Sequence, residues 1–217
     1  MKSNYVIDIL NIEKPMFHPK SGTQEIPILE NYFIDGAKET KKSDRTSYAI
    51  GKNVLHYTSE NVKGDNITLE TGAGYSTVVF ASYAKKHIVC NPDITANNLI
   101  LNFLKSNQLY KDNLEFLPDS SDTSLPKISR SLPIDFALID GNHSYPFPII
   151  DWHYIDYLLK IDGILLVYNT NINSVKLLFD YLLVEPSYKL LLDIGVTSVF
   201  QKISNRKFGW VAQEINK

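Results

Sequence analysis

From Asn66 onward the chain alternates between short β-branched or apolar runs and longer runs with helical spacing, and this rhythm restricts its fold more than any other feature. NITLE, HIVCN, LEFLP, IDFALID and GILLVYN read as strands, while STVVFASYAKK, TANNLILNFLKSNQ, PIIDWHYIDYLLK and NSVKLLFDYLLVE place apolar residues three or four apart and read as helices. A polar stretch containing LPKISRSL reads as a loop. Strands separated by helices imply crossovers between parallel neighbours, hence an α/β, Rossmann-like, doubly wound sheet with helices on both faces. The last apolar runs, in YKLLLDIGVTSVFQKIS, have only Gly195 as a breaker between them. That is too little chain for a crossover helix, so the C-terminus reads as a hairpin that adds an antiparallel edge to a mostly parallel, seven-stranded sheet.

Ahead of the sheet, Met1 to Pro27 reads as an irregular arm interrupted by Pro15, Pro19 and Pro27. Apolar spacing around Tyr48, Val54 and Leu55 predicts one or two helices before Asn61. Residues 1–60 therefore form an arm with helices, a lid or cap on the substrate side, and residues 61–217 form the Rossmann-like domain. The 217-residue length suits one such domain with a sizeable core. A net charge of −2 gives no basic field of the kind a phosphate backbone attracts, so nucleic acid is not an expected partner. The single cysteine, Cys90, falls in an apolar run and reads as a buried thiol of a reducing compartment. No signal-like start and no apolar run near the roughly 20 residues of a membrane span is found, so the expected location is the cytoplasm, with no membrane partner. Homo-oligomer formation is left open.

At the end of the first strand stands Glu70-Thr71-Gly72-Ala73-Gly74-Tyr75-Ser76, then a helix for which Ser76 or Thr77 is a plausible cap. Glycines permit a tight turn and let a ligand lie against bare main chain, at the strand ends where open α/β sheets bind ligands. The dinucleotide fingerprint asks for a third glycine where Thr77 stands, and a dehydrogenase domain usually continues with parallel units. Both points disfavour a nicotinamide-dependent oxidoreductase.

LETGAG resembles the first motif of class I S-adenosylmethionine-dependent methyltransferases. The longer segment IDFALIDGNHSYPFPIIDWHYIDYLLKIDGILLVYNT resembles the branch with sugar, macrolide and, more remotely, catechol-type O-methyltransferases. With the terminal hairpin, the likeness covers roughly Asn61 to Ile203. It implies that Gly72, Ala73, Gly74 and Ser76 cradle S-adenosylmethionine and that Glu70 orients its amino group. Asn91 or Asp93, depending on register, would hold the ribose hydroxyls. Ser120 and Ser121, followed by Asp122, match the adenine loop or a plain polar turn.

The same resemblance implies a small-molecule methyl acceptor, a sugar or a hydroxylated secondary metabolite. Asp140 occupies the position of a metal-binding and cofactor-side aspartate, and His143, three residues on, takes the place of the branch's lysine base. Imidazole titrates near neutral pH, so His143 is the candidate general base, with a loop-bonding turn residue as the plainer reading. Where the branch has Asp-Asp or Asp-Asn after the fifth strand, this chain has Tyr168-Asn169. Asp140 and Asn169 alone make a weak magnesium site, so metal dependence is in doubt. A cofactor-binding protein with altered or lost chemistry is the alternative. His18, His56 and His87 have no assigned role, while His153, Trp152, Tyr154 and Tyr157 read as helix-surface or packing residues.

Overall fold

The computed structural model describes residues 5–18 and 50–206. Its strands are β1 (Ile67–Thr71), β2 (Lys86–Cys90), β3 (Leu114–Leu117), β4 (Ile134–Ile139), β5 (Leu159–Val167), β6 (Tyr188–Ile194) and β7 (Thr197–Lys202). The helices are α1 (Tyr5–Glu13), α2 (Lys52–Asn61), α3 (Tyr75–Tyr83), α4 (Ile94–Ser106), α5 (Ser121–Ser124), α6 (Phe147–Leu158) and α7 (Asn173–Val184). All seven strands form one sheet in the order β3-β2-β1-β4-β5-β7-β6. Strands β1 to β5 pair in parallel, and β7 runs antiparallel between β5 and β6. The hairpin expected at the C-terminus is therefore present, with Gly195 at φ 62° in its turn and β6 as the outer strand.

The chain leaves β1 toward β2 and β3, then returns to β4 on the other side of β1, so the strand order reverses between β1 and β4. A crevice opens at the carboxyl ends of strands at such a switch point. Register sets what meets there. Thr71 pairs with both Cys90 and Ile139, and Ile139 pairs with Val167, so these strands end at one level. Gly72, Asn91, Asp140 and Tyr168 consequently form a row across the sheet. Four main-chain bonds hold it: Gly72 N to Cys90 O (3.0 Å), Asn91 N to Leu117 O (3.1 Å), Asp140 N to Thr71 O (3.2 Å) and Tyr168 N to Ile139 O (3.1 Å).

Alternate residues of β4 go to opposite faces, as the period of two requires. Phe136 and Leu138 join one apolar cluster with α1, α2, α3 and α4, whereas Ala137 and Ile139 join a second with α6 and α7. Covering both faces explains why the central strands are nearly continuous apolar runs.

Three local readings are corrected. The arm is regular over Tyr5–Glu13, where Val6, Ile7 and Leu10 bury one helical face; the prolines that argued against order begin only after it. The loop after β3 contains α5 and a 3-10 turn at Leu125–Lys127. Helix α3 starts at Tyr75 with Gly74 as its N-cap; Ser76 and Thr77 lie inside the helix, where both hydroxyls donate to Glu70 and Thr77 Oγ1 also accepts from the Gly74 N–H at 2.9 Å. Past α1, Phe17 is 1% exposed and packs edge-on against Tyr75 and Phe103, each with ring centroids 5.7 Å apart. Burying such a ring contributes about 2 to 3 kcal/mol. Of the arm, helices and cap expected over residues 1–60, positions 19–49 lie outside the described residues, and Ile50 is buried. Among the described residues no helix is long and apolar enough to cross a membrane.

Candidate cofactor and acceptor site

A crevice of about 710 Å³ runs along the row of strand ends. That volume suits a small ligand. The two glycines of the turn serve different ends. Gly72 adopts φ +81°, and a Cβ there would lie 2.2 Å from the Asp140 carbonyl oxygen. Its bare Cα makes room for the protein's own main chain at the end of β4. Around Gly74 nothing lies within 4 Å of an added Cβ, so a side chain there would project into open space. Gly74, with Ala73 and Ser76, forms the bare wall of the crevice.

Glu70 does not line the crevice. It is 0% exposed beneath the turn. Its Oε2 accepts from Ser76 Oγ at 2.7 Å, and its Oε1 accepts from Thr77 Oγ1 and faces His87 Nε2 at 3.1 Å. His87 in turn meets Thr68 Oγ1 through Nδ1 at 2.8 Å and stacks on Phe80 with ring centroids 4.8 Å apart. The acid of the motif thus braces the turn from below, and His87 belongs to this buried brace.

Asn91 and Asp93 both line the crevice. Asn91 directly follows β2; its Nδ2 donates to Asn97 Oδ1 at 2.7 Å, and Asn97 Nδ2 donates to the Asn91 carbonyl at 3.0 Å, which fixes the amide. Asp93 caps α4, with Oδ1 accepting from the main-chain N–H groups of Thr95 (2.9 Å) and Ala96 (3.1 Å). Its Oδ2 lies 3.7 Å from His18 Nδ1. The other ring nitrogen of His18 is 2.9 Å from the Ala73 carbonyl oxygen, and Tyr75 O–H donates to the Pro15 carbonyl at 3.1 Å. The segment after α1 is therefore pinned on the glycine turn. Nothing in the sequence around His18 signalled this, because its partners are 55 or more positions away.

Just past β4, Asp140 and His143 sit side by side in the crevice, with His143 Nε2 3.5 Å from Asp140 Oδ1. The Asp140 side chain is 20% exposed, and burial pushes its pKa up to about 6 against the opposing pull of His143. The loop is held from behind, where Ser174 Oγ donates to the His143 carbonyl. Asn142, Phe147, Tyr168, Asn169, Asn171 and Ile172 complete this end, so Asp140 and Asn169 do line the same crevice. Asn169 takes a left-handed φ of 58°. Ser120 and Ser121, the N-cap and first residue of α5, also line the crevice. Cys90 also borders the crevice, but burial pushes its thiol up to about 12, which removes it as a nucleophile near neutral pH.

A hard divalent cation is not fitted by these donors. One carboxylate and one carboxamide supply little anionic charge, and Tyr168 stands where a second acid is needed. Among the described residues no group of three or more histidines, cysteines and acids gathers.

A seven-stranded sheet in this order, with an antiparallel strand next to β5, is the Rossmann-like fold of class I S-adenosylmethionine-dependent methyltransferases. Residues 69–170 match the family model described as a methyltransferase domain. No curated protein matches the chain by sequence. Among solved structures, the O-methyltransferase from Bacillus cereus in complex with S-adenosylhomocysteine is 14% identical, with a TM-score of 0.61 over 72% of this chain and 83% of that one. A Staphylococcus aureus protein provisionally assigned as a caffeoyl-CoA O-methyltransferase is also 14% identical, with a TM-score of 0.62 over 92% of this chain and 98% of that one. An rRNA methylase from Streptococcus thermophilus is 16% identical, with a TM-score of 0.55 over 70% of this chain and 95% of that one. At these identities the likeness speaks for the fold, which serves acceptors as different as a small molecule and an RNA.

Proposed function

We infer that the chain transfers the methyl group of S-adenosylmethionine to a hydroxyl of a small uncharged molecule, with His143 as general base. The observation that carries this reading is that His143 Nε2 lies 3.5 Å from Asp140 Oδ1 in the same crevice that the glycine turn lines. S-adenosylmethionine supplies a methyl group already activated on a sulfonium. What remains for the protein is to align the acceptor oxygen and remove its proton. Asp140 holds the imidazole and favours the imidazolium that forms when His143 takes that proton, while Phe147 and Tyr168 offer flat apolar surface to the acceptor. Asn142, Asn169 and Asn171 add neutral hydrogen-bonding groups, a set that suits hydroxyls better than phosphates.

Ala73, Gly74 and Ser76 would carry the methionine half, Asn91 with Asp93 the ribose, and Ser120 with Ser121 the adenine. Glu70 and Gly72 act from beneath, by bracing the turn. Residues 1–60 would contribute the segment after α1 and the neighbourhood of Ile50 to the same crevice. An RNA acceptor is the second reading, favoured by the rRNA methylase among the structural relatives.

Calorimetry with S-adenosylhomocysteine and with NAD, followed by turnover of labelled S-adenosylmethionine on hydroxylated sugars and phenols and on ribosomal RNA, tests the assignment. Binding of the first ligand alone, with transfer to a small acceptor that persists in chelator, is the expected outcome. Transfer to RNA alone overturns the acceptor class. Binding without any transfer leaves a cofactor-binding protein, and no binding of S-adenosylhomocysteine removes the whole reading.

A further inference from the structure

His18 stands where the segment after α1, the glycine turn and the start of α4 meet on the crevice rim. Its Nε2 lies 2.9 Å from the Ala73 carbonyl oxygen, and its Nδ1 lies 3.7 Å from Asp93 Oδ2. A carbonyl oxygen only accepts, so Nε2 carries a proton. In the neutral ring the lone pair then falls on Nδ1 and faces a carboxylate oxygen, acceptor against acceptor. A second proton reverses this, because Nδ1 becomes a donor and the cation is held between a carbonyl and a carboxylate. Asp93 has an oxygen for that role, since its cap bonds to Thr95 and Ala96 both use Oδ1.

The backbone behind His18 is anchored independently of the ring. The Pro15 carbonyl accepts from Tyr75 O–H, and Phe17 packs against Tyr75 and Phe103. The ring therefore reaches the rim in either protonation state, and the proton decides whether Ala73 and Asp93 are joined through it. Titratable groups of the crevice besides His18 are Asp93 from α4, Tyr75 from α3, Asp140 and His143 after β4, and Cys90 and Tyr168 at the strand ends. Phenols titrate near pH 10, and burial pushes Cys90 up to about 12. Asp140 feels the ring across the crevice, its raised pKa being drawn back in part by His18. Asp140 and His143 are thus the groups whose titration has to be separated from that of His18.

We propose that His18 is a positioning residue whose imidazolium clasps the glycine turn to the start of α4, so that uptake of one proton shapes the crevice for its cofactor. The proposal deepens the reading of the crevice as the S-adenosylmethionine site and rests on it. A ligand that binds the clasped form has an apparent dissociation constant that rises as the clasped fraction falls. Affinity is fullest where imidazole is protonated and declines as pH rises through the neutral range. Calorimetry with S-adenosylhomocysteine between pH 6 and pH 8, repeated in buffers of different ionisation enthalpy, reads both the affinity and the protons taken up on binding. The wild-type protein should bind about fivefold or more weakly at pH 8 than at pH 6, with net proton uptake in between. His18→Gln, whose amide can still donate to Ala73 but does not titrate, should flatten this profile and remove the uptake while Asp140 and His143 remain. Asp93→Asn, which still caps α4 but offers no charge, should flatten it likewise. A merely structural His18 would weaken the ligand by one factor at every pH. A wild-type slope retained in His18→Gln therefore overturns the proposal, as does binding by the wild-type protein that is flat with pH. Failure of the wild-type protein to bind S-adenosylhomocysteine at any pH overturns the reading of the site instead, and the proposal with it.

Discussion

At the scale of single residues, the two glycines of the turn separate folding from ligand binding. Gly72→Ala places a methyl group against the Asp140 carbonyl at a positive φ, and should lower stability by at least about 2 kcal/mol in urea unfolding. Gly74→Val meets no protein atom at its Cβ, so it should leave the unfolding midpoint nearly unchanged while abolishing calorimetric binding of S-adenosylhomocysteine. His143→Ala should keep that binding within a factor of about two and slow transfer by about 10² or more, as removal of a general base does. The sequence made the crevice-side residues legible because Gly74, Asn91, Asp140 and His143 follow strands whose ends could be read from apolar runs. It misplaced Glu70: a carboxylate at a strand end looks the same whether it faces the ligand or three side chains of its own fold.

Between elements, the least legible part was the contact between the segment after α1 and α3. Phe17, Tyr75 and Phe103 meet there, and no periodic pattern links positions so far apart in sequence. Phe17→Ala should cost about 3 kcal/mol by urea unfolding, the usual penalty for emptying such a site. It should also raise the dissociation constant for S-adenosylhomocysteine, because the same segment brings His18 to the Ala73 carbonyl. Unchanged affinity in a destabilised variant would assign the contact to folding alone. Helix α1 escaped notice because three prolines nearby outweighed a short apolar face, whereas β1 to β5 were found readily as buried parallel strands need apolar residues on both faces.

For the whole molecule, buried acids set the response to pH. Burial raises the Asp151 pKa from 3.8 to about 6, so the folded chain holds a proton that the unfolded chain has already lost in that interval. Stability should therefore be greater below about pH 4 on this account, and should decline as pH rises toward and through 6. For one such group the loss is on the order of 3 kcal/mol. Comparing urea midpoints of wild-type protein and Asp151→Asn at pH 4.5 and pH 7 isolates its share, and the variant should show the flatter dependence. The sequence did contain a hint of this acid, since Pro148, Asp151, Trp152 and Ile155 lie on one buried stripe of α6. A carboxylate on an apolar stripe marks an unusual environment, although its neighbours on β1 and α5 come only from the fold.

The Asp140 carbonyl seated in the hollow over Gly72 couples two loops that lie far apart in the chain. Shifting either one displaces its neighbour, so grip on the nucleoside and delivery of the methyl group cannot drift independently during evolution or engineering. On the proposed function, diversity in what is methylated would arise at positions outside those two loops, such as Asn171 and Ile172, which makes them the place to begin when redirecting this scaffold to a new acceptor.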